Sequence, residues 1–309
     1  MSESPPYDGK RRGLLVLGSV NVDLVLPVAH IPTEGETVLG GDAVFTPGGK
    51  GGNQAVAAAL AGAEVSLAGR VGEDAHAEDV RRSLRTAGVD VTHLQTVPGS
   101  TTGLAVVLVA RDGENAIAVA SGANHRLGPD DVERLRRRIG QARLMLLQME
   151  LPADVVVRAC RVAAEVGTPV VLNLAPPARL PPEVLEGLAV LVVNRSEAGY
   201  LMGRHLSGAD DLRRAAVSLQ AGGPRTVVVT AGAEGAFVAH DGAVSRVPAQ
   251  RVDVVDTSGA GDAFVGVLAA RLTQGVELTR ALVDASGAAA AAVRVHGARL
   301  TSLPEGTRH

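Results

Sequence analysis

Val255-Asp256-Thr257-Ser258-Gly259-Ala260-Gly261-Asp262-Ala263-Phe264 carries a polar, glycine-broken loop straight into an apolar helical pattern continued by Val267, Leu268 and Leu272. Small residues at 259, 260 and 261 let consecutive backbone N–H groups converge at the start of that helix, where the peptide dipoles also favour an anion. Asp262 then falls in the first helical turn, beside any anion bound there. Two readings stand at this point. A first-turn acid is an ordinary helix-start preference. A carboxylate beside a phosphate cradle, however, is electrostatically awkward unless it does chemistry, and the chemistry that fits is general base for a hydroxyl attacking a phosphoryl group.

Upstream of this stretch, strands and helices alternate. The spacing predicts helices at 129–139, 152–166, 195–203 and 209–221, with strands at 143–148, 169–174, 190–193 and 226–230. Such alternation argues for βαβ units and a parallel sheet. Phe237 to His240 and Val244 to Val247 read as a hairpin around Asp241-Gly242, and helices at 260–274 and 277–293 close the chain. Near the N-terminus, Leu14 to Val20 is an apolar run suited to a strand buried on both faces. It ends in Gly18-Ser19-Val20-Asn21-Val22-Asp23, which places Asn21 and Asp23 past a strand's carboxyl end, where open α/β sheets bind ligands. If the chain stays extended, both side chains point one way and suit a polyol; an Asx turn closing the strand is the plainer reading.

Residues 24–44 show short β-like pieces broken by Pro27, Pro32, Gly35, Gly40 and Gly41, and a hairpin is signalled at 104–109 and 116–120 around Arg111 to Asn115. Together these segments are expected to form a small sheet beside the main one, a lid made from about 24–46 and 102–121. Between them, Pro47-Gly48-Gly49-Lys50-Gly51-Gly52-Asn53-Gln54 precedes an Ala-rich helix expected at 55–61. Glycines there allow close backbone approach, while Lys50 offers a compact charge and Asn53 hydrogen bonding in both directions. Gln54 stands where a dinucleotide fingerprint needs its last glycine, and no Walker A spacing is present.

Asn194 and Glu197 lie where a strand meets a helix, three residues apart. They suit either a magnesium ion held partly through water or a capping box. The lone cysteine, Cys160, sits in an apolar helical run, which rules out intrachain disulfides and points to a buried thiol. Eight scattered histidines show no zinc spacing. A formal charge of −3 and 2% aromatic residues disfavour nucleic acid bound through a basic or stacking surface. Residues 1–12 read as a loose tail without an apolar signal core, and no window approaches a membrane span, so a cytoplasmic protein is expected.

The segments Gly18–Asp23, Gly48–Ala55, Asn194-x-x-Glu197 and Asp256–Asp262 occur in the order and spacing of the ribokinase-like (PfkB-type) sugar kinases, a family this chain resembles from about residue 13 to 304. Ser121-Gly122-Ala123-Asn124 and Gln148-Met149-Glu150 draw the resemblance toward the ribose-phosphorylating branch. The resemblance implies a three-layer α/β/α core with a mostly parallel sheet, plus a small β-sheet lid that often pairs subunits into a homodimer. It implies transfer of phosphoryl from ATP to a sugar's terminal hydroxyl, here the 5-hydroxyl of D-ribose. By motif position Asp262 is the base, with the backbone of Gly259, Ala260 and Gly261 as anion hole. Asn21, Asp23, Gly49, Lys50, Asn53 and Glu150 match sugar-contacting positions, and Asn194, Thr230, Gly232, Gly261 and Ser286 the nucleotide side. Glu197 is the acid linked to Mg²⁺. Asp256, Ser258, Ala292, Val295, Gly297 and Thr301 fall at the positions of a K⁺ site, the apolar ones acting through carbonyls. Val265, Val267 and Ser286 depart from the pattern expected of that branch, and one residue is inserted between Thr301 and Pro304. Kinases for deoxyribose, fructose or adenosine, and a non-catalytic sugar-binding module, are the rival readings. A nicotinamide oxidoreductase is disfavoured by the failed fingerprint.

Overall fold

Leu14, Leu15, Val16 and Leu17 are all fully buried, and alternate members face opposite ways. Leu14 and Val16 join one apolar cluster, Leu15 and Leu17 another, as expected of a strand covered on both faces by helices. That strand, β1 (Leu14–Leu17), is an interior strand of the computed structural model, which describes residues 11–112 and 114–303. Most of the expected N-terminal tail, 1–10, and the expected domain end at 304 lie outside the described residues; Arg11 and Arg12 are held to the body through Val166, Gly167 and Gln141.

In chain order the elements are β2 (Asn21–Val28), β3 (Val44–Gly48), α1 (Lys50–Leu60), β4 (Val65–Gly72), α2 (Ala75–Thr86), β5 (Val89–Val97), β6 (Gly103–Ala110), β7 (Asn115–Ala120) and α3 (Pro129–Gln141). There follow β8 (Leu144–Gln148), α4 (Ala153–Glu165), β9 (Val170–Asn173), α5 (Pro182–Glu186), β10 (Val190–Asn194), α6 (Arg195–Met202), α7 (Gly208–Ala221) and β11 (Thr226–Thr230). A hairpin, β12 (Ala236–His240) and β13 (Ala243–Val247), leads to α8 (Ala260–Thr273) and α9 (Leu278–Ala292). The main sheet has nine strands in the order β13-β12-β11-β10-β9-β8-β1-β4-β5, parallel except at the β11/β12 and β12/β13 pairs. A second sheet, ordered β3-β2-β6-β7, pairs β2 with β6 in parallel and its outer strands antiparallel. The fold class expected from the sequence is therefore the one observed.

Two local differences have physical causes. Helix α1 begins at Lys50 rather than 55, so Gly51 and Gly52 are helical while Gly48 ends β3 and Gly49 turns at φ 83°. Glycine disfavours helix by ~1 kcal/mol per residue, but here Gly51 packs directly on the Gly18 backbone, and tertiary contact overrides propensity. Strand β5, unanticipated, lies at the sheet edge with an exposed polar face, so its apolar alternation is weak. Helix α8 is apolar nearly all round and buried from Asp262 to Arg271, running beside α1 and α9. Gly266 makes that approach possible: a Cβ there would stand 2.4 Å from the Gln54 carbonyl oxygen and 2.7 Å from Ala57 Cβ. This close crossing brings the first turn of α1 to the first turn of α8.

Candidate active site

The two first turns meet at Asp262. Asn53 Nδ2 donates to Asp262 Oδ2 at 3.1 Å, and Gln54 Nε2 donates to Oδ1 at 2.9 Å. All three residues are buried. Lys50 opens the same turn of α1, and its ammonium is held above its ordinary value chiefly by the Asp262 charge, with Glu150 and Glu197 adding, against burial. Glu150 Oε2, just past β8, accepts from Lys50 N at 3.0 Å and from Ser19 Oγ at 2.5 Å.

Asn21 and Asp23 open β2, so the chain does stay extended and both project to one side. Asn21 Oδ1 accepts from Asn124 Nδ2 at 2.8 Å. Asn124 also mimics a strand partner for Val20, accepting from its N at 3.0 Å and donating to its O at 3.2 Å. Asp23 is pushed up to about 6, first by burial and then by the charge of Glu150, with Arg299 opposing and Asp262 reinforcing. A carboxylate raised from 3.8 to about 6 binds its proton more tightly folded than unfolded. Stability therefore falls as pH rises from about 4 to 6 and stays lowered above that. Asp23→Asn is accordingly expected to raise stability by about 1–3 kcal/mol at pH 7.5. The gain should shrink as the pH is lowered toward 4, in denaturant titrations at several pH values. An equal gain at every pH would show that the charge is not its source.

Gly259, the residue before α8, adopts φ 72° with its α-carbon facing Ala298: a Cβ would stand 1.9 Å from the Ala298 carbonyl oxygen. The left-handed turn sets the amides of 259–261 at the start of the helix, where they lack intrahelical acceptors, next to Asp262. Ala260 N makes only a long contact, 3.4 Å, to Thr257 O. Behind this turn, Thr230, Gly232, Ala260, Gly261, Phe264 and Ser286 line a cavity of about 610 Å³, together with residues 249–252 and the α9 face at Ala289, Ala290 and Val293. Its volume and mainly apolar wall fit a nucleoside-sized group. Ser286 Oγ there donates to Pro248 O at 3.2 Å.

Asn194 and Glu197 form a full capping box. Glu197 N donates to Asn194 Oδ1 at 2.8 Å, and Asn194 N donates back to Glu197 Oε2 at 2.7 Å. Glu197 is buried, raised by that burial, and senses both Lys50 and Asp262, so it faces the same niche. With each oxygen already accepting from Asn194, its donor set fits a Mg²⁺ ion held through water better than one bound directly. Among the described residues no group of three or more acidic, His or Cys side chains forms a ready-made metal cage. On the other flank, Asp256 Oδ1 accepts from Ser258 N at 2.8 Å and Oδ2 from Gly297 N at 2.9 Å. Burial pulls Asp256 upward, but these amide donors outweigh it and hold the group below its ordinary value. Val295 N reaches Ala292 O at 3.3 Å, and Thr301 follows along the same segment. Asp256 thus ties the 256–258 turn to Gly297, with Ala292 and Val295 on the same C-terminal segment beside the Gly259 turn.

Three buried or half-buried groups escaped the sequence reading. Asn124 and Gln54 each stand inside a motif of the family resemblance without a role of their own. Arg299 comes from the far C-terminal segment: its Nε donates to Asn53 Oδ1 at 3.1 Å, Nη1 to Ser83 Oγ at 2.9 Å and Nη2 to Gly48 O at 3.3 Å. Burial lowers it to about 10, against the pull of Asp23 and Asp262. By holding the Asn53 oxygen, Arg299 obliges that amide to turn its NH₂ toward Asp262. Cys160, as expected, is buried, and burial pushes its thiol up to about 12.

Comparison with known proteins agrees with this geometry. A ribokinase from Haemophilus influenzae is 36% identical over 272 residues, covering 88% of this chain and 89% of that protein. A deoxyribokinase from Salmonella typhi is 35% identical over 270 residues, covering 87% and 88%. The structure of Arabidopsis thaliana ribokinase complexed with ribose and ATP superposes with a TM-score of 0.85 at 30% identity, over 93% of this chain and 94% of that one. With residues 11–305 matching the profile of the pfkB family carbohydrate kinases, the chain belongs to that family.

Proposed function

We propose that the chain transfers the γ-phosphoryl group of ATP to the 5-hydroxyl of D-ribose, giving ribose 5-phosphate and ADP. The observation that carries this reading is the Asp262 carboxylate. It is gripped by two amides at a helix start, with Lys50 nearby, between the Asn21/Asp23 edge of the second sheet and the nucleoside-sized cavity. Asn21, Asp23, Lys50, Asn53 and Glu150 hold the sugar hydroxyls, with Gly49 letting the backbone come close. Asp262 takes the proton of the attacking hydroxyl as its oxygen bonds to phosphorus, and the bond to the ADP oxygen breaks. The amides of Gly259, Ala260 and Gly261 face the charge that develops on the transferred group. Thr230, Gly232 and Ser286 border the base and ribose of the nucleotide, with Asn194 on its phosphate side. Mg²⁺ would neutralise the phosphates near Glu197, and K⁺ among Asp256, Ser258 and the 292–301 carbonyls would steady the anion hole. Exposed Val44, Phe45, Ile117 and Val119 on the second sheet support a homodimer paired through it. The single buried cysteine suits a reducing cytoplasm. Among the described residues no helix is long and apolar enough to cross a membrane.

The likeness to a deoxyribokinase keeps deoxyribose as the second reading. A coupled ADP-release assay across ribose, deoxyribose, fructose and adenosine, in K⁺ or Na⁺, separates the two, with sedimentation giving the mass of the same preparation. Ribose is expected to be preferred, with turnover falling when Na⁺ replaces K⁺. A preference for another acceptor would overturn the substrate assignment, and equal rates in both salts the cation assignment.

A further inference from the structure

Beneath the candidate active site lies a chain of buried amides that no step above uses. Asn173, at the end of β9, donates from Nδ2 to Val192 O at 3.3 Å. A backbone carbonyl only accepts, so this contact sets the amide: Asn173 Oδ1 must face the other way, toward Gln54. There it accepts from Gln54 Nε2 at 2.9 Å. The same Gln54 NH₂ donates its second hydrogen to Asp262 Oδ1, also at 2.9 Å. Gln54 Oε1, now pointing away, accepts from Gln148 Nε2 at 2.7 Å. Gln54 and Gln148 are fully buried, and Asn173 is only 7% exposed. Gln148 Oε1, pressed against Gly18, has no hydrogen-bond donor among the described residues. The structure tolerates an unsatisfied oxygen there, and turning Gln148 over would instead set that oxygen against Gln54 Oε1.

The consequence for chemistry concerns both protons and place. Every member of the chain has one allowed orientation, traced back to a main-chain carbonyl at the sheet's carboxyl edge. Gln54 therefore offers Asp262 a hydrogen and cannot offer it a lone pair. A hydrogen donated to Oδ1 occupies one lone pair and leaves the others to meet the acceptor hydroxyl, as a general base requires. With Asn53 donating to Oδ2, the carboxylate plane is fixed from both sides. We infer that Gln54 is a positioning residue for the reaction: locked by Asn173 and Gln148, its amide fixes the plane in which Asp262 meets the acceptor hydroxyl. This rests on Asp262 being the general base.

The test uses the full-length protein with ATP and whichever acceptor sugar it turns over fastest. Gln54→Glu keeps the shape but places a second carboxyl against Asp262. Gln54→Met keeps the length and removes the donor. For both, kcat is expected to fall by up to about 10²-fold, with the sugar KM changed by less than about threefold. The acid limb of the kcat/KM profile should move to higher pH, by about one unit in Gln54→Glu. A Gln54 that merely filled space would lower the melting temperature and leave the acid limb where it is. Gln54→Met also strands Asn173 Oδ1 and Gln148 Nε2, so if it does not fold, the near-isosteric Gln54→Glu decides. An unmoved acid limb with kcat within about twofold of the parent overturns the inference. Asp262→Asn is run in parallel: if that variant keeps its turnover, the general-base reading fails and this inference with it. If only the Gln54 variants behave like the parent, the base stands and the positioning role alone falls.

Discussion

Asp262→Asn is expected to lower kcat by roughly 10²–10⁴, the usual worth of a general base. The substitution is nearly isosteric, and the surrounding bonds tell how it fails. The carboxylate accepts from two NH₂ groups, Asn53 Nδ2 and Gln54 Nε2. An asparagine has one oxygen to offer, so its own NH₂ must confront one of those donors. Neither donor is free to turn over: Arg299 Nε holds the Asn53 oxygen and Gln148 Nε2 holds that of Gln54. A loss of local hydrogen bonding, about 1–3 kcal/mol, is expected in the thermal melt alongside the kinetic loss. Steady-state ADP release with saturating substrates gives kcat, and circular dichroism checks that the variant is folded. Turnover within tenfold of the parent would remove Asp262 from the chemistry.

Gly259→Ala is the second large effect. The residue's φ of 72° costs a side-chain-bearing residue about 1–2 kcal/mol, and the new Cβ would overlap Ala298 O at 1.9 Å. One of the two backbones must move. If the α8 start yields, the amides of 259–261 lose their aim. If the 296–299 segment yields, Gly297 draws away from Asp256 and Arg299 from Asn53. Either route disturbs charge stabilisation at the transferred phosphoryl group, and kcat is expected to fall by about 10²–10³, the worth of one anion-hole donor. The melting temperature should drop by only a few degrees. A variant with parental kcat would show that the turn at 259 serves folding alone.

Much of this was legible in the chain itself. The apolar run at Leu14 announced a strand covered on both faces, and the helix–strand alternation after Pro129 announced a parallel sheet. Asp262 after its small residues, and Asn21 with Asp23 past β1, are local patterns whose chemistry does not depend on distant partners. Other parts left no local trace. Arg299 meets Asn53 across 246 positions of sequence, and nothing around it sets it apart from a surface arginine. Gln54 reads as one polar residue at the head of an Ala-rich helix until α8 is packed beside it. The glycine run at 48–52 looks like a loop because intrinsic propensity argues against helix there. Contacts from distant residues, Gly18 against Gly51 and Glu150 and Ser19 on the first amides, make its second half helical. Strand β5 was lost for the opposite reason, since an edge strand with one wet face carries little periodic signal.

The junction between the two sheets has a mechanical meaning. Strand β1 ends at Leu17 and β2 begins at Asn21, and the three linking residues are buried, with Asn124 bonded to Val20 on both its N–H and C=O. The second sheet is therefore anchored at the end that carries Asn21 and Asp23, with the Phe45 ring stacked on His76 of α2 as a second, lighter support partway along it. With about 3.3 Å per residue, β2 reaches roughly 23 Å from that anchor to Val28. A tilt of about 15° would sweep Val28 through about 6 Å while Asn21 hardly moves. A tilt about that junction that released the Phe45–His76 stack would widen the mouth of the cleft while the Asn21 end stayed in register.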